Sequence, residues 1–261
     1  MPSPVLTIGG TDPCGAFGLS ADLKCFSAVG GYGMGVVTVV TAQNSRGFYG
    51  AHPIPPEIVA AQLTAVLEDY APRVVKTGFL GRVEVVQVVG EILGRYAAQL
   101  DHILIDPVLV NGQGDPLFPP EVTAAYRTHL LPLADWLLPN RAEAALLLGQ
   151  PTCPSPEEAT AALHELLPAH GRVWLKQAVQ TPQIITDWLF DGHQSQPLTS
   201  PRIATPNTAG SGDRLSAVLA VMLTHGLQPP QAAVHAHRYL QSSLYTAAGW
   251  ELVRGRGPSG I

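Results

Sequence analysis

A run of small residues that ends in an aspartate is the segment of this sequence best suited to chemistry. The run reads NTAGSGD over residues 207–213 and immediately precedes an apolar segment, residues 215–223, with helical spacing. Small residues at a helix N-terminus leave successive backbone N–H groups free to bind an anion, and the helix dipole adds to that attraction. We therefore predict an anion site at Gly210, Ser211 and Gly212.

Asp213 stands at the mouth of this predicted anion site. Its carboxylate is suited to accept a proton from a substrate hydroxyl, although an acid in the first turn of a helix also stabilises the dipole without any catalytic role. The same dipole favours the ionised carboxylate, which predicts a lowered pKa for Asp213 and a weaker base. Phosphoryl transfer tolerates a weak base, because positioning and charge neutralisation supply most of the rate. The pattern thus favours Asp213 as a catalytic proton acceptor over a role limited to the helix dipole, and it is compatible with phosphoryl transfer.

Two further carboxylates follow predicted strands. Asp106 ends the apolar run 102–106, and Glu143 lies in the first turn of a helix that begins after Pro139-Asn140. An aspartate at the carboxyl end of a central strand can hold hydrated Mg²⁺ beside phosphate oxygens, or it can cap a loop. Glu143 is either a second carboxylate for that metal or an acid that suits the helix dipole.

The loop after the first predicted strand is rich in glycine, and the second strand ends in a glutamine. The first loop reads GGTDPCGAFG over residues 9–18, which lacks the Gly-Lys-Ser/Thr of a Walker A loop. No acidic residue ends the second strand to hold a ribose, so a dinucleotide fingerprint is excluded as well. Gln43 offers one acceptor and two donors, which complement an aminopyrimidine edge, and it is equally suited to be a surface loop amide.

Alternating strands and helices must position these residues. Strands are predicted at residues 5–8, 36–41, 74–77, 102–106, 136–138, 173–176, 184–190 and 196–203. Helices are predicted at residues 20–29, 55–67, 83–100, 122–131, 142–148, 157–167, 215–223 and 232–248. This alternation predicts one three-layer α/β domain over residues 1–261, with a mainly parallel sheet, helices on both faces, and ligands at the carboxyl ends of the strands.

Composition narrows the class of protein. The chain has 261 residues, 46% hydrophobic and 13% charged, with a formal net charge of −5. A mildly acidic chain without a basic stripe is not expected to bind nucleic acid, and no apolar run is long enough to span a membrane. Three cysteines without a Cys-x-x-Cys pair favour the reducing cytoplasm. The start, Met1-Pro2-Ser3-Pro4, has no cationic region and predicts no secretory signal.

Several segments in order carry a resemblance to one family. They are VLTIGGTDPCGAFGLSADLKCFSAVGGYGMGVVTVVTAQNSRG from residue 5, VKTGFLG from residue 75, IDPVLV and GDPLF between residues 105 and 118, NRAEAALLLG from residue 140, and NTAGSGDRLSA from residue 207. Together they resemble the hydroxymethylpyrimidine/phosphomethylpyrimidine kinases of thiamine biosynthesis, within the ribokinase-like superfamily. The resemblance runs from about residue 5 to about residue 225, and GRGP at residues 255–258 is similar to the end of that family.

The resemblance implies a ribokinase-like fold, usually as a homodimer, and a defined reaction. Members of the family move the γ-phosphoryl group of MgATP to the hydroxymethyl group of an aminopyrimidine, and then a second one to the resulting phosphate. By resemblance, Gln43, Gly10, Asp22 and Val108 are pyrimidine-site positions, Asn140, Lys176 and Glu143 are nucleotide-side or metal-side positions, and residues 210–213 are the anion hole with the catalytic position.

Three departures from the family pattern leave alternatives open. The family's Gly-Thr-Gly-Cys is Gly-Ser-Gly-Asp here, ending at Asp213, and its Lys-Gly-Gly-His is Lys-Gln-Ala-Val at residues 176–179. In the first loop, Phe17 replaces a small residue and is expected to narrow the pocket mouth. Asp213 suggests pyridoxal as an alternative acceptor and is expected to repel an already phosphorylated one. The altered loop after Lys176 leaves a non-catalytic pyrimidine-binding protein as a third hypothesis.

Overall fold

A nine-stranded sheet runs through the chain, of which this computed structural model describes residues 3–260. The strands are β1 (Ser3–Thr11), β2 (Gly31–Asn44), β3 (Gly47–Pro53), β4 (Val74–Thr77), β5 (His102–Ile105), β6 (Trp136–Leu137), β7 (Arg172–Gln180), β8 (Ile184–Phe190) and β9 (Ser195–Pro201). Their spatial order is β3-β2-β1-β4-β5-β6-β7-β8-β9. The neighbours β2, β1, β4, β5, β6 and β7 pair in parallel along this order. At the two ends of the sheet the pairing is antiparallel, between β3 and β2 on one side and between β7, β8 and β9 on the other. The predicted mainly parallel sheet is confirmed.

Helices cover both faces of this sheet. They are α1 (Gly18–Ala28), α2 (Pro56–Asp69), α3 (Val83–Tyr96), α4 (Pro120–Ala125), α5 (Arg141–Leu148), α6 (Pro156–His164), α7 (Ser211–Thr224) and α8 (Pro229–Ala247). Helices α2 to α6 contribute to one hydrophobic core, and α1, α7 and α8 contribute to a second core on the opposite face. The predicted three-layer ribokinase-like architecture is therefore confirmed.

Strand β4 illustrates why the sheet has two apolar faces. Val74 packs into one core and Val75 into the other, because successive side chains of a strand point to opposite faces. All residues of Val74–Thr77 are buried, as expected for a central parallel strand with helices on both sides. One of them is Lys76, a charged side chain in the middle of an apolar layer.

The loops that could bind a ligand meet at one edge of the sheet. Strand β1 pairs with β2 on one side and with β4 on the other, so the direction in which strands are added reverses at β1. Loops at the carboxyl ends of strands diverge at such a reversal and leave a crevice. Residues 12–17 follow β1, residues 106–119 follow β5, and α7 begins beside them.

Several element boundaries differ from the prediction. The strand predicted at 36–41 extends over Gly31–Asn44 and pairs with β3, which was not predicted because GFYGAHP has two glycines and no alternating pattern. The helix predicted at 122–131 ends at Ala125 and continues as a π turn over Tyr126–Leu130. No helix within residues 3–260 is long and apolar enough to cross a bilayer. The signal-peptide prediction rests partly on Met1 and Pro2, outside the described residues, and the single-domain assignment stays a prediction.

Candidate active site

The N-terminus of α7 forms a cradle of backbone amides that only glycine can shape. Gly210 precedes the helix with φ +72°, in the left-handed region that favours glycine. A Cβ atom on Gly210 would overlap the carbonyl oxygen of Ala16, so the missing side chain lets the loop at residues 12–17 pack directly on the cradle. We use "the cradle" for residues 210–213, which present the first amides of a 14-residue helix.

Asp213 lies at the inner end of the cradle beside a buried lysine. Its side chain is 13% exposed, and its Oδ1 lies 3.7 Å from Nζ of Lys76. Burial raises the pKa of Asp213, against the lowering effects of Lys76 and of the Gly18 N–H, which donates a hydrogen bond to this carboxylate. The prediction of a lowered pKa was therefore wrong, because desolvation outweighs the helix terminus. A raised pKa makes Asp213 a stronger base.

Lys76 is held by a second carboxylate beneath the cradle. Its Nζ lies 2.7 Å and 2.6 Å from the two oxygens of Asp22, and the Thr7 hydroxyl donates to Asp22 at 2.6 Å. Burial opposes the charge on Lys76, but Asp22 and Asp213 outweigh it and raise the pKa of the amine. Burial likewise raises the pKa of Asp22 to about 7, although Lys76 lowers it.

This geometry gives Asp22 a different place from the one expected of a substrate contact. Asp22 is 1% exposed, and both of its carboxylate oxygens accept hydrogen bonds from groups of the protein. Asp22 thus lies behind Lys76 and is not among the residues that line the cavity described below, and its predicted pyrimidine contact stays a prediction. It supports Asp213 through Lys76.

A second ion pair fixes the other side of the cradle. The Lys176 amine lies 2.6 Å from Oδ1 of Asp106, and the hydroxyl of Ser216 in α7 donates to Oδ2 at 2.7 Å. A Cβ atom on Gly212 would lie 3.4 Å from Nζ of Lys176, which places this amine against the cradle backbone. Burial opposes the charge on Lys176, but Asp106 and Glu143 raise its pKa. The cradle is thus flanked by one lysine–aspartate pair on each side.

Asn140 and Glu143 form a reciprocal cap at the start of α5. The Asn140 side chain accepts from the Glu143 N–H at 3.0 Å, and the Glu143 carboxylate accepts from the Asn140 N–H at 2.8 Å. Glu143 is buried, and desolvation raises its pKa to about 7, with Asp106 adding to the rise. Two neighbouring buried carboxylates with one lysine between them suit a divalent cation that also takes phosphate oxygens and water.

One cavity of about 520 Å³ joins these groups, a volume typical of a small-molecule site. It is lined by most of the predicted site residues, namely Asp106, Val108, Asn140, Glu143, Lys176, Gly210, Ser211, Gly212 and Asp213. Gly10, Asp22 and Gln43 are not among its lining residues. The structure therefore brings the predicted phosphate and metal side together and leaves the predicted pyrimidine side next to it.

Gln43 and Gly10 lie behind the loop that follows β1. The Asp12 carboxylate stabilises the conformation of this loop, because it accepts hydrogen bonds from the N–H groups of Cys14, Ala16 and Phe17 at 2.8–3.0 Å. Cys14 Sγ then contacts the Gln43 carbonyl oxygen at 3.2 Å, while Phe17 lines the cavity.

Gly10 sits at a register shift between β1 and β2, where a Cβ atom would lie 2.7 Å from Val39. Only a packing role is visible for Gly10, and the predicted pyrimidine contacts of Gly10 and Gln43 stay predictions.

Sequence reasoning missed three charged residues of the site. Lys76 could have been found, because a lone lysine in a four-residue apolar strand must be buried and must have a partner. Asp187 lines the cavity and accepts from the Gln177 N–H at 2.7 Å and from Trp174 Nε1 at 2.9 Å. It thereby holds Gln177 at φ +51°, a conformation that glycine would adopt freely. The third is Arg256, which reaches the cavity from the C-terminal segment.

Comparison with known proteins gives a consistent result. The family model described as phosphomethylpyrimidine kinase matches residues 12–260. The hydroxymethylpyrimidine/phosphomethylpyrimidine kinase of Escherichia coli (strain K12) is 39% identical over 254 residues, covering 97% of this chain and 95% of that protein. A probable thiamine biosynthetic bifunctional enzyme, chloroplastic, from Oryza sativa subsp. japonica is 36% identical over 264 residues, covering 100% of this chain and 47% of that protein.

A solved structure of similar shape is the pyridoxal kinase of Bacillus subtilis in an ADP complex. Its TM-score to this chain is 0.89 at 28% sequence identity, and the match covers 100% of this chain and 97% of that one.

Proposed function

This chain belongs to the phosphomethylpyrimidine kinase family, and we propose that it phosphorylates 4-amino-5-hydroxymethyl-2-methylpyrimidine, and then its monophosphate, with ATP in thiamine biosynthesis. The observation that carries this proposal is the position of Asp213. Its carboxylate and the cradle amides open into one cavity with the Lys176–Asp106 pair and Glu143. A proton acceptor beside an anion site is the arrangement that phosphoryl transfer to a hydroxyl requires.

In the proposed reaction the residues of this site have separate tasks. Asp213 accepts the proton of the acceptor hydroxyl while the oxygen of that hydroxyl forms a bond to the γ-phosphorus of ATP. The bond between the γ-phosphorus and the oxygen that leaves with ADP breaks. The cradle amides at Gly210–Gly212 meet the charge that spreads over the transferred group. Lys76, held by Asp22, keeps Asp213 in place and adds positive charge beneath it.

Asn140 and Lys176 are proposed to hold the nucleotide phosphates, and Asp106 with Glu143 to hold Mg²⁺. Both carboxylates line the cavity, and their hydrogen bonds to Lys176, Ser216 and backbone N–H groups fix their orientation. When bound, the metal neutralises charge on the phosphate oxygens of ATP. Gln43 and Val108 are proposed as pyrimidine contacts, since Val108 lines the cavity and Gln43 contacts Cys14 in the loop that carries the cavity residue Phe17.

The predicted homodimer and cytoplasmic location also remain proposals. The first is supported by the resemblance to the family, and the second by three unpaired cysteines among the described residues. Light scattering of the purified protein tests the homodimer, which requires twice the 27.6 kDa mass of one chain.

The Asp213→Asn variant tests the central assignment. Asparagine keeps the size of the side chain but cannot accept the proton, so we expect kcat to fall by about 10²- to 10⁴-fold with ADP release as the assay. The matched control is Asp69→Asn, which removes an exposed carboxylate at the end of α2. An Asp213→Asn enzyme with the activity of the Asp69→Asn control would remove Asp213 from the mechanism.

Pyridoxal is a second candidate acceptor, favoured by the similarity to the Bacillus subtilis pyridoxal kinase. The ratio of kcat/KM for hydroxymethylpyrimidine to that for pyridoxal decides between the two, because this ratio measures specificity. The hypothesis of a non-catalytic pyrimidine-binding protein predicts thermal stabilisation by the pyrimidine without any ADP release.

A further inference from the structure

We propose that Arg256 binds the phosphate group of a phosphorylated acceptor and so determines whether the second phosphoryl transfer occurs. The inference rests on the proposed function, because it concerns the second of two acceptors in the same cavity. It is carried by the path of residues 254–260, by the free face of the Arg256 guanidinium, and by the balance of charge in the cavity.

Residues 254–260 cross both the cradle loop and the loop that carries Gln43. The N–H of Arg256 donates to the Ser45 carbonyl at 3.0 Å, which places Arg256 beside the turn that follows Gln43. The next residue, Gly257, accepts from the Ala209 N–H at 2.9 Å, and the Ser259 N–H donates back to Ala209 at 3.0 Å. Arg256 therefore lines the cavity at a point next to the loop that carries Gln43, a proposed pyrimidine contact.

The guanidinium of Arg256 is oriented by the protein and retains free donors. Its Nε donates to the Thr208 hydroxyl at 2.9 Å, and Nη2 donates to the Thr208 carbonyl at 3.1 Å. Nη1 points toward Gly112, where an added Cβ atom would lie 3.3 Å away, and it has no hydrogen-bond partner among residues 3–260. No carboxylate within the described part of the chain forms an ion pair with Arg256.

Charge balance explains why an acceptor phosphate needs this cation. Four carboxylates line the cavity, those of Asp106, Glu143, Asp187 and Asp213. Of its cations, Lys176 pairs with Asp106, and both terminal nitrogens of Arg141 donate to the carbonyls of Ala178 and Cys153. A phosphate monoester carries about −1.5 to −2 charges at neutral pH, and Asp213 repels it. Arg256 can bind it through Nη1, which donates to no group among residues 3–260.

Separate assays of the two acceptors test this proposal. With saturating ATP, the Arg256→Gln variant should lose about 10- to 100-fold in kcat/KM for the pyrimidine monophosphate, the usual value of charge-assisted hydrogen bonds. Its kcat/KM for hydroxymethylpyrimidine should stay within about 3-fold, because that acceptor carries no phosphate. Arg256→Lys should recover part of the loss, since it restores the charge without the fork. The matched control is Arg254→Gln, which removes an exposed positive charge from the same segment.

Three results would overturn the assignment. The first is an equal loss of kcat/KM with both acceptors, which would indicate a structural role for Arg256. The second is an unchanged kcat/KM with both acceptors. The third is a raised KM for ATP, which would place Arg256 at the nucleotide. Calorimetric binding of the pyrimidine monophosphate separates this proposal from the function on which it rests. Weaker binding to Arg256→Gln than to wild type, in a protein that turns over neither acceptor, would uphold the phosphate site and refute the kinase assignment. Equal binding by both proteins would overturn the phosphate site.

Discussion

Replacing Lys76 by methionine should destabilise the protein strongly at neutral pH. Lys76 is fully buried, with Nζ at 2.6–2.7 Å from Asp22 and 3.7 Å from Asp213, and methionine fills nearly the same volume. The change leaves two carboxylates facing each other in the core without a cation. Breaking a buried ion pair by removing one partner costs about 3–5 kcal/mol, against the roughly 5–15 kcal/mol by which native proteins are stable. Urea unfolding curves at about pH 7.5 measure this loss directly.

The pH dependence of that loss separates charge from packing. At about pH 5.5 the orphaned carboxylates can take up protons, so the difference between Lys76→Met and wild type should shrink. Adding Asp22→Asn to Lys76→Met removes one of those carboxylates and should restore most of the stability. Lys24→Met, at an exposed lysine that donates to Gly15, should change stability by about 0.5 kcal/mol or less. A Lys76→Met protein within about 1 kcal/mol of wild type at both pH values would refute the reasoning.

Two further predictions concern proton uptake and the cradle. Burial raises the pKa of Asp22 from 3.8, and that of Glu143 from 4.5, to about 7. At a pH between these unfolded and folded values, the native state therefore keeps protons that the unfolded chain has released. The free energy of unfolding should therefore fall as the pH rises from about 4.5 to about 7, and a urea midpoint that rises over this range would contradict it. Gly210→Ala should reduce both stability and ADP release, since it adds a clash with Ala16 to a backbone cost of about 1–2 kcal/mol at φ > 0. Gly226→Ala at φ +80° with open space around it isolates that backbone cost, and equal melting temperatures of the two variants would disprove the clash.

The layered fold could be predicted because each element carries its own signal. Predicted strands of about three to eight residues alternate with amphipathic helices, and this pattern is typical of a parallel sheet with two covered faces. The antiparallel strand β3 could not be predicted, because Gly47–Pro53 lies at the sheet edge with mostly exposed or half-buried side chains and therefore has no alternating pattern. Strands pair through backbone hydrogen bonds, which do not depend on residue type. An edge strand with exposed side chains therefore has no hydrophobic pattern by which its sequence could be recognised.

The candidate site could be predicted up to the point where packing decides which side chains face the cavity. Asp106 follows a strand, Asn140 and Asp213 stand at the start of helices, and Lys176 lies in β7 next to its register shift; these four residues do share one cavity. Asp22 resembles a ligand contact in sequence, yet the position of Lys76 turns it into an internal partner. That contact joins helix α1 to strand β4, and the sequence of β4 indicates that Lys76 needs a partner without indicating that the partner is Asp22.

The burial of Arg214 has a consequence for which distant residues the turn at Asp213 depends on. Its guanidinium is 1% exposed, directly after Asp213, and it donates to the Ser259 hydroxyl at 2.8 Å, to the Gly260 carbonyl, and more weakly to two carbonyls of its own turn. Apart from residues 259–260, only those two carbonyls accept from this buried guanidinium among the described residues. The turn that bears Asp213 is therefore tied to a segment 45 to 46 residues further along the chain, so that changes at Ser259 or Gly260 reach the proton acceptor without contacting it.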